Sequence, residues 1–187
     1  MTEDIQHAVA VLRQGGTILY PSDTIWGIGC DATNQKAAER IYEIKGRQKE
    51  SSFIVLIHDP KMIENYVAET PSILWDLIDS LDFPTTIIYS NARNLAKNVI
   101  AADGTIAIRV VKEGFCHELL KAFAKPIVST SANFSGEPAP LLFKDISEKL
   151  IKEVDYAVAS GRAGLQKLKA STIIRLKPNG EFDIIRE

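Results

Sequence analysis

Short apolar runs alternate with stretches that repeat apolar residues every three to four positions, and no linker interrupts the alternation along the chain. The first period is helical: Ile5, Ala8, Val9 and Leu12 form one stripe over 3–14, ended by Gly15-Gly16. Residues 17–20 then read as a buried strand stopped by Pro21. A second stripe, Ala37, Ile41 and Ile44, predicts a helix over 36–45, and Phe53-Ile54-Val55-Leu56-Ile57 predicts the next strand. Helical patterns follow around 60–67 and 71–81, strands at 85–89, 105–111 and 126–129, and a helix over 115–124 before the last of these. A helix over 143–151 and a short strand at 156–158 lead to a hairpin, 171–176 with 182–185, across Pro178-Asn179-Gly180. Such an order demands a sheet covered by helices, and 187 residues suit one α/β domain with a mixed, twisted sheet.

Composition narrows what the domain can do. With 45% hydrophobic and 25% charged residues the chain is an ordinary globular sequence, and no segment approaches the roughly 20 apolar residues of a membrane span. Met1-Thr2-Glu3-Asp4 is polar and acidic where a secretory leader would be basic and then apolar, so a cytoplasmic location is expected. Cys30 and Cys116 lack metal-ligand spacing and sit among apolar neighbours, which predicts reduced, buried thiols. A net charge of −2 excludes a broad nucleic-acid-coating surface, so any polyanion must be met locally. His7, His58 and His117 are scattered and suggest surface or capping positions rather than a triad or a metal cluster.

Polar residues gather where the predicted elements end. Lys45-Gly46-Arg47 closes the second helix: glycine tolerates the left-handed conformation helix C-termini use, and the flanking cations leave in fixed, different directions. They could form an anion-binding corner or simply satisfy the helix dipole. Pro21-Ser22-Asp23-Thr24 follows a strand, where open α/β sheets bind ligands, although these are also turn-forming residues. Ser129-Thr130-Ser131-Ala132-Asn133 offers hydroxyls and an amide at a second strand end, as a site or as loop formers. Arg109, within the apolar run 106–110, must either reach solvent or face an anion.

Four segments taken together resemble a known family. The run from Tyr20 to Ala32, then Lys45-Gly46-Arg47, then Ser131-Ala132-Asn133-Phe134-Ser135-Gly136, then Ser171-Thr172-Ile173-Ile174, is similar in order and spacing to the YrdC-type threonylcarbamoyl-AMP synthases. The resemblance covers nearly the whole chain and implies one YrdC-like domain over 1–187, a twisted open sheet around a concave basic cavity. It also implies an enzyme, a nucleotidyltransferase, that makes threonylcarbamoyl-AMP and pyrophosphate from L-threonine, bicarbonate and ATP with Mg²⁺. A partner transferase complex would then pass the group to the tRNA adenosine next to the anticodon, giving t6A.

By that resemblance Lys45 and Arg47 are the catalytic cations on the triphosphate, a displacement that needs position and charge neutralisation more than a nucleophile. Thr24, Arg109, Ser129 and Ser171 would hold threonine, with Arg109 on its carboxylate. Thr105, Ser131, Asn133 and Arg186 would meet the nucleotide with Lys45 and Arg47. Ser51 and Ala139 stand at nucleotide positions where the family often has an asparagine and the serine of a Ser-Pro, and Leu56 stands where some relatives carry a threonine-contacting histidine. Two other functions fit the same features: an RNA-binding protein using the concave surface, and an inactive paralogue that only binds a nucleotide.

Overall fold

A computed structural model describes residues 2–46, 53–163, 170–177 and 179–187. Thr2 accepts a hydrogen bond from the Ile5 amide and starts α1 (Glu3–Arg13), whose apolar stripe Ile5, Ala8, Val9 and Leu12 is buried. A hairpin follows, β1 (Ile18–Pro21) with β2 (Trp26–Asp31). Pro21 does not stop the strand. It is the last residue of β1 and pairs with Trp26, at a ladder end where a missing N–H costs little.

The strand β2 is hidden from propensity by Gly27 and Gly29, yet all six of its residues are buried. The glycines are there for space: a Cβ on Gly29 would lie 2.5 Å from the Val128 carbonyl oxygen and 2.8 Å from the Tyr20 ring. Gly29→Ala is therefore expected to destabilise the fold by about 3 kcal/mol, at the high end for overpacking. Urea unfolding checks this, and an unchanged midpoint would mean that the neighbouring strands part without cost.

Asn34 caps α2 (Gln35–Lys45) by accepting from the Lys36 and Ala37 amides, and Gly46 ends it at φ 58°, ψ 34°, the left-handed cap expected from the sequence. Next come β3 (Ile54–Ile57), a 3₁₀ turn, the one-turn α3 (Ile63–Tyr66), α4 (Ile73–Ser80), β4 (Thr85–Tyr89), β5 (Ile106–Val110) and α5 (Gly114–Phe123). The strand β6 (Ile127–Ser131) runs two residues beyond its expected end, because Thr130 and Ser131 still pair with Ile28 and Gly27. The helix expected over 143–151 is divided. Ile146 is extended and buried, separating a 3₁₀ turn at Phe143–Asp145 from α6 (Glu148–Glu153). The chain closes with β7 (Tyr156–Ala157), β8 (Thr172–Leu176) and β9 (Phe182–Arg186); Pro178 of the expected hairpin turn lies outside the described residues.

Among the described residues the nine strands join one mixed sheet in the order β7-β1-β2-β6-β3-β5-β4-β8-β9, with β1–β7, β3–β5 and β4–β8 parallel. Register and alternation sort the side chains. Trp26, Ile28, Val128, Val55, Ile57, Ile108 and Ile87 point to one face and join a core with α2, α3, α4 and α6. On the other face α1 and α5 cover Ile18, Tyr20, Leu56 and Ile127. Cys30 and Cys116 are free and buried, and burial raises both thiol pKa values, as inert structural cysteines require.

His58 follows β3 and meets His117 of α5 edge to face, with centroids 6.1 Å apart. Burial, then the neighbouring His117, hold its pKa below the ordinary 6.5. The unfolded chain therefore takes up the proton first as pH falls through 6.5, and stability declines from there down to the lower folded-state value. Thermal melts at about pH 7 and about pH 5.5 are expected to show this loss, and His58→Gln to reduce it.

Candidate functional site

The helices α1 and α5 stop short of one end of the sheet, and there the same face opens into a cavity of about 570 Å³. Its floor is set by strand register. Gly27 pairs with Ser131 and Gly29 with Ser129, Ile54 pairs with both Ser129 and Ala107, and Arg109 faces Thr86, so one row of hydroxyls and one guanidinium share a surface with small apolar residues. Ile54, Ile88, Ala107 and Ile173 supply the apolar part of the lining.

The Gly46 cap aims Lys45 back across the end of β6. Its ammonium donates to the Ser131 carbonyl at 2.6 Å, to Asn133 Oδ1 at 2.9 Å and to Ser131 Oγ at 3.4 Å, and the residue is only 4% exposed. Ser131 Oγ donates to the same Asn133 Oδ1, while Asn133 Nδ2 donates to the Glu137 carbonyl. The Ser135 amide donates to the Lys45 carbonyl at 2.9 Å, so the helix end and the loop after β6 are joined through backbone as well. A charged group held by several short bonds is already in place when a ligand arrives.

Thr24 sits in the four-residue turn between β1 and β2. Ser22 Oγ donates to the Ile25 carbonyl at 2.6 Å and accepts from the Thr24 amide at 3.2 Å, which fixes the turn and sets Thr24 Oγ1 3.1 Å from Ser22 Oγ. Arg109 Nη2 lies 3.5 Å from that Thr24 hydroxyl and 2.9 Å from Asp23 Oδ1, in an ion pair whose side chains are 5% and 10% exposed. The arginine that the sequence places in an apolar strand thus faces an internal carboxylate. Its Nε is buried without an acceptor among the described residues.

The opposite wall comes from the C-terminal hairpin. Ser171 is buried, with its hydroxyl 2.8 Å from Thr86 Oγ1, and its carbonyl accepts from Arg186 Nη2 at 2.8 Å and Nε at 3.3 Å. Burial, followed by the nearby Arg109, lowers the Arg186 pKa, so the two guanidiniums are close enough to oppose each other. The described lining contains Lys45, Arg109 and Arg186 and no aspartate or glutamate. Such a surface is relieved by an anion.

Eight of the residues expected from the sequence therefore line one cavity: Thr24, Lys45, Arg109, Ser129, Ser131, Asn133, Ser171 and Arg186. Arg47 and Ser51 lie outside the described residues. Thr105 and Ala139 are not in the described lining: the Thr105 hydroxyl donates to Asp103 at 2.6 Å, and Ala139 is exposed on the loop after β6. Leu56 is wholly buried in the core beneath α1 and α5. Residues that the sequence presents only as turn or strand formers turn out to hold the site: Ser22 under Thr24, Asp23 on Arg109, Thr86 on Ser171. Ser22 acts within its own turn, two residues from Thr24, but the partners of Asp23 and Thr86 lie 86 and 85 residues away, so no local signal could have paired those two with the site.

Among the described residues no group of three or more His, Cys, Asp and Glu side chains could hold a metal, and no helix is long and apolar enough to cross a membrane.

A family model, Sua5_yciO_yrdC, described as telomere recombination, matches residues 10–187. The chain is 31% identical over 186 residues to a threonylcarbamoyl-AMP synthase of Vibrio cholerae, covering 96% of this chain and 99% of that one. It is 32% identical over 184 residues to a threonylcarbamoyl-AMP synthase of Xanthomonas euvesicatoria, covering 97% of each. Of solved structures, E. coli YciO matches with a TM-score of 0.82 at 25% identity, over 98% of this chain and 88% of that one. P. abyssi Sua5 complexed with L-threonine shares the fold, with a TM-score of 0.85 at 24% identity; 94% of this chain matches 52% of that longer one.

Proposed function

The chain belongs to the Sua5/YciO/YrdC family, and on that premise we propose that it is a threonylcarbamoyl-AMP synthase, a nucleotidyltransferase working as one domain over 1–187. The observation that carries this reading is the convergence of Lys45, Arg109 and Arg186 on one cavity with no carboxylate in its described lining. A substrate set of a carboxylate, bicarbonate and a triphosphate is anionic throughout and fits such a lining.

In this reading the threonine carboxylate meets Arg109, and the hydroxyls of Thr24, Ser129 and Ser171 surround the rest of the amino acid. The threonine amine and bicarbonate condense to a carbamate with loss of water. A carbamate oxygen then attacks the α-phosphorus of ATP, the bond to the β-phosphate oxygen breaks, and pyrophosphate leaves. Lys45, held by Ser131 and Asn133, offsets the charge that builds on the transferring group, with Arg47 as its proposed companion and Arg186 on the nucleotide side. Ser51, Thr105 and Ala139 remain proposed nucleotide positions. When bound to the phosphates of ATP, Mg²⁺ would supply further charge neutralisation there. The product would be handed in the cytoplasm to a tRNA-modifying transferase for t6A synthesis.

Purified protein with ATP, Mg²⁺, bicarbonate and L-threonine is expected to release pyrophosphate only when all four are present, with threonylcarbamoyl-AMP identified by mass. Nucleotide binding without release would overturn the synthase reading in favour of an inactive paralogue. Salt-sensitive RNA binding indifferent to ATP, again without release, would favour an RNA-binding protein.

A further inference from the structure

Asp23 belongs to none of the roles above, yet it is the acidic partner of the central guanidinium. Its Oδ1 accepts from Arg109 Nη2 at 2.9 Å, and both side chains are almost wholly buried. It is not in the described lining of the polar cavity. Asp23 lines a neighbouring cavity of about 640 Å³ whose other walls include Ile78, Leu81, Phe83 and Phe115, whereas Arg109 and Thr24 line the polar one. The carboxylate therefore grips the guanidinium from outside the substrate space.

That geometry has a chemical consequence. A guanidinium offers five donors in a rigid plane, and fixing one terminal nitrogen fixes the direction of the rest. Among the described residues only Nη2 is engaged, by Asp23 and more distantly by Thr24 Oγ1, and the buried Nε has no acceptor. We propose that Asp23 is a positioning residue: it orients Arg109 so that its remaining donors are presented to the substrate carboxylate. The proposal rests on the reading of Arg109 as the carboxylate anchor for threonine. It also explains the turn, since Ser22 and the 22–25 loop hold Asp23 and Thr24 side by side, one behind the guanidinium and one in front.

A competing possibility gives the opposite sign. If Asp23 merely occupied Arg109 until substrate displaced it, removing its charge would tighten threonine binding. Steady-state pyrophosphate release in Asp23→Asn and Asp23→Ala separates the two. Positioning is expected to raise the threonine KM about 10- to 100-fold, more in Asp23→Ala, the loss typical of a hydrogen bond to a charged group, while kcat at saturating threonine and the ATP KM stay within about twofold. Thermal melts show whether each variant is folded, and calorimetric titration with L-threonine gives the affinity independently of turnover. An unchanged or lowered threonine KM in a folded variant overturns the positioning role and leaves the synthase reading intact. A wild type that neither releases pyrophosphate nor binds threonine overturns the functional reading and this role together.

Discussion

Lys45→Ala is expected to lower threonine-dependent pyrophosphate release by about 10²- to 10³-fold, the loss that follows removal of one preorganised donor at a developing charge. The residue is only 4% exposed and its ammonium is held within 3 Å of the Ser131 carbonyl and Asn133 Oδ1, so it neutralises charge without first having to be ordered. The loss should fall on kcat, because the proposed contact strengthens as charge moves onto the leaving pyrophosphate. The Ser131 carbonyl and Asn133 Oδ1 each lose a charged donor in the variant, although Ser131 Oγ still donates to Asn133 Oδ1, which costs about 1–3 kcal/mol in stability, readable by urea unfolding. Calorimetry with L-threonine should be little changed, since Arg109 and Thr24 are untouched. Release within about threefold of wild type, in a folded variant, would remove Lys45 from the chemistry.

Arg109→Ala has the second large effect, and it is double. Threonine binding is expected to weaken about 100-fold or more through loss of the proposed carboxylate anchor. The fold should also lose about 3–5 kcal/mol, because Asp23, 10% exposed in the ion pair, is left buried and uncompensated. Removing Asp23 as well separates the two losses. The double variant Asp23→Ala with Arg109→Ala should recover most of the stability, as when both members of a buried pair are replaced, and none of the threonine affinity. Recovery of affinity together with stability would mean that Arg109 serves the fold alone. Arg109→Lys is not expected to substitute, because an ammonium cannot hold Asp23 on one side and a carboxylate on the other in one plane.

The elements were legible wherever local pattern decides. The stripe Ala37, Ile41, Ile44 gives α2, and Gly46 gives its left-handed end, because both depend on residues within a few positions of one another. The misreadings share a cause. Pro21 is the last residue of β1 rather than the residue just beyond it, β2 exists despite two glycines, and β6 continues through Ser131, all because β2 pairs with β1 on one side and β6 on the other. Cross-strand pairing overrides propensity in these places. Ile146 breaks the expected helix over 143–151 because it is drawn, extended, into the core.

The site divides along the same line. The order of Thr24, Lys45, Arg109, Ser131-Asn133 and Ser171 along the chain, with the chemistry of each side chain, was available from the sequence, and so was the resemblance that ties them together. The sequence alone settles where most helices and strands lie, that Gly46 can end α2, and that an arginine stands in an apolar strand, since these are statements about neighbours. Only the tertiary structure decides that Arg109 is gripped by Asp23, that Lys45 rests on Ser131 and Asn133, and that Ser171 is backed by Thr86. Those partners are brought together by the pairing and packing of elements scores of residues apart, and strand register is fixed by the burial of whole faces at once, which no local stretch of sequence encodes.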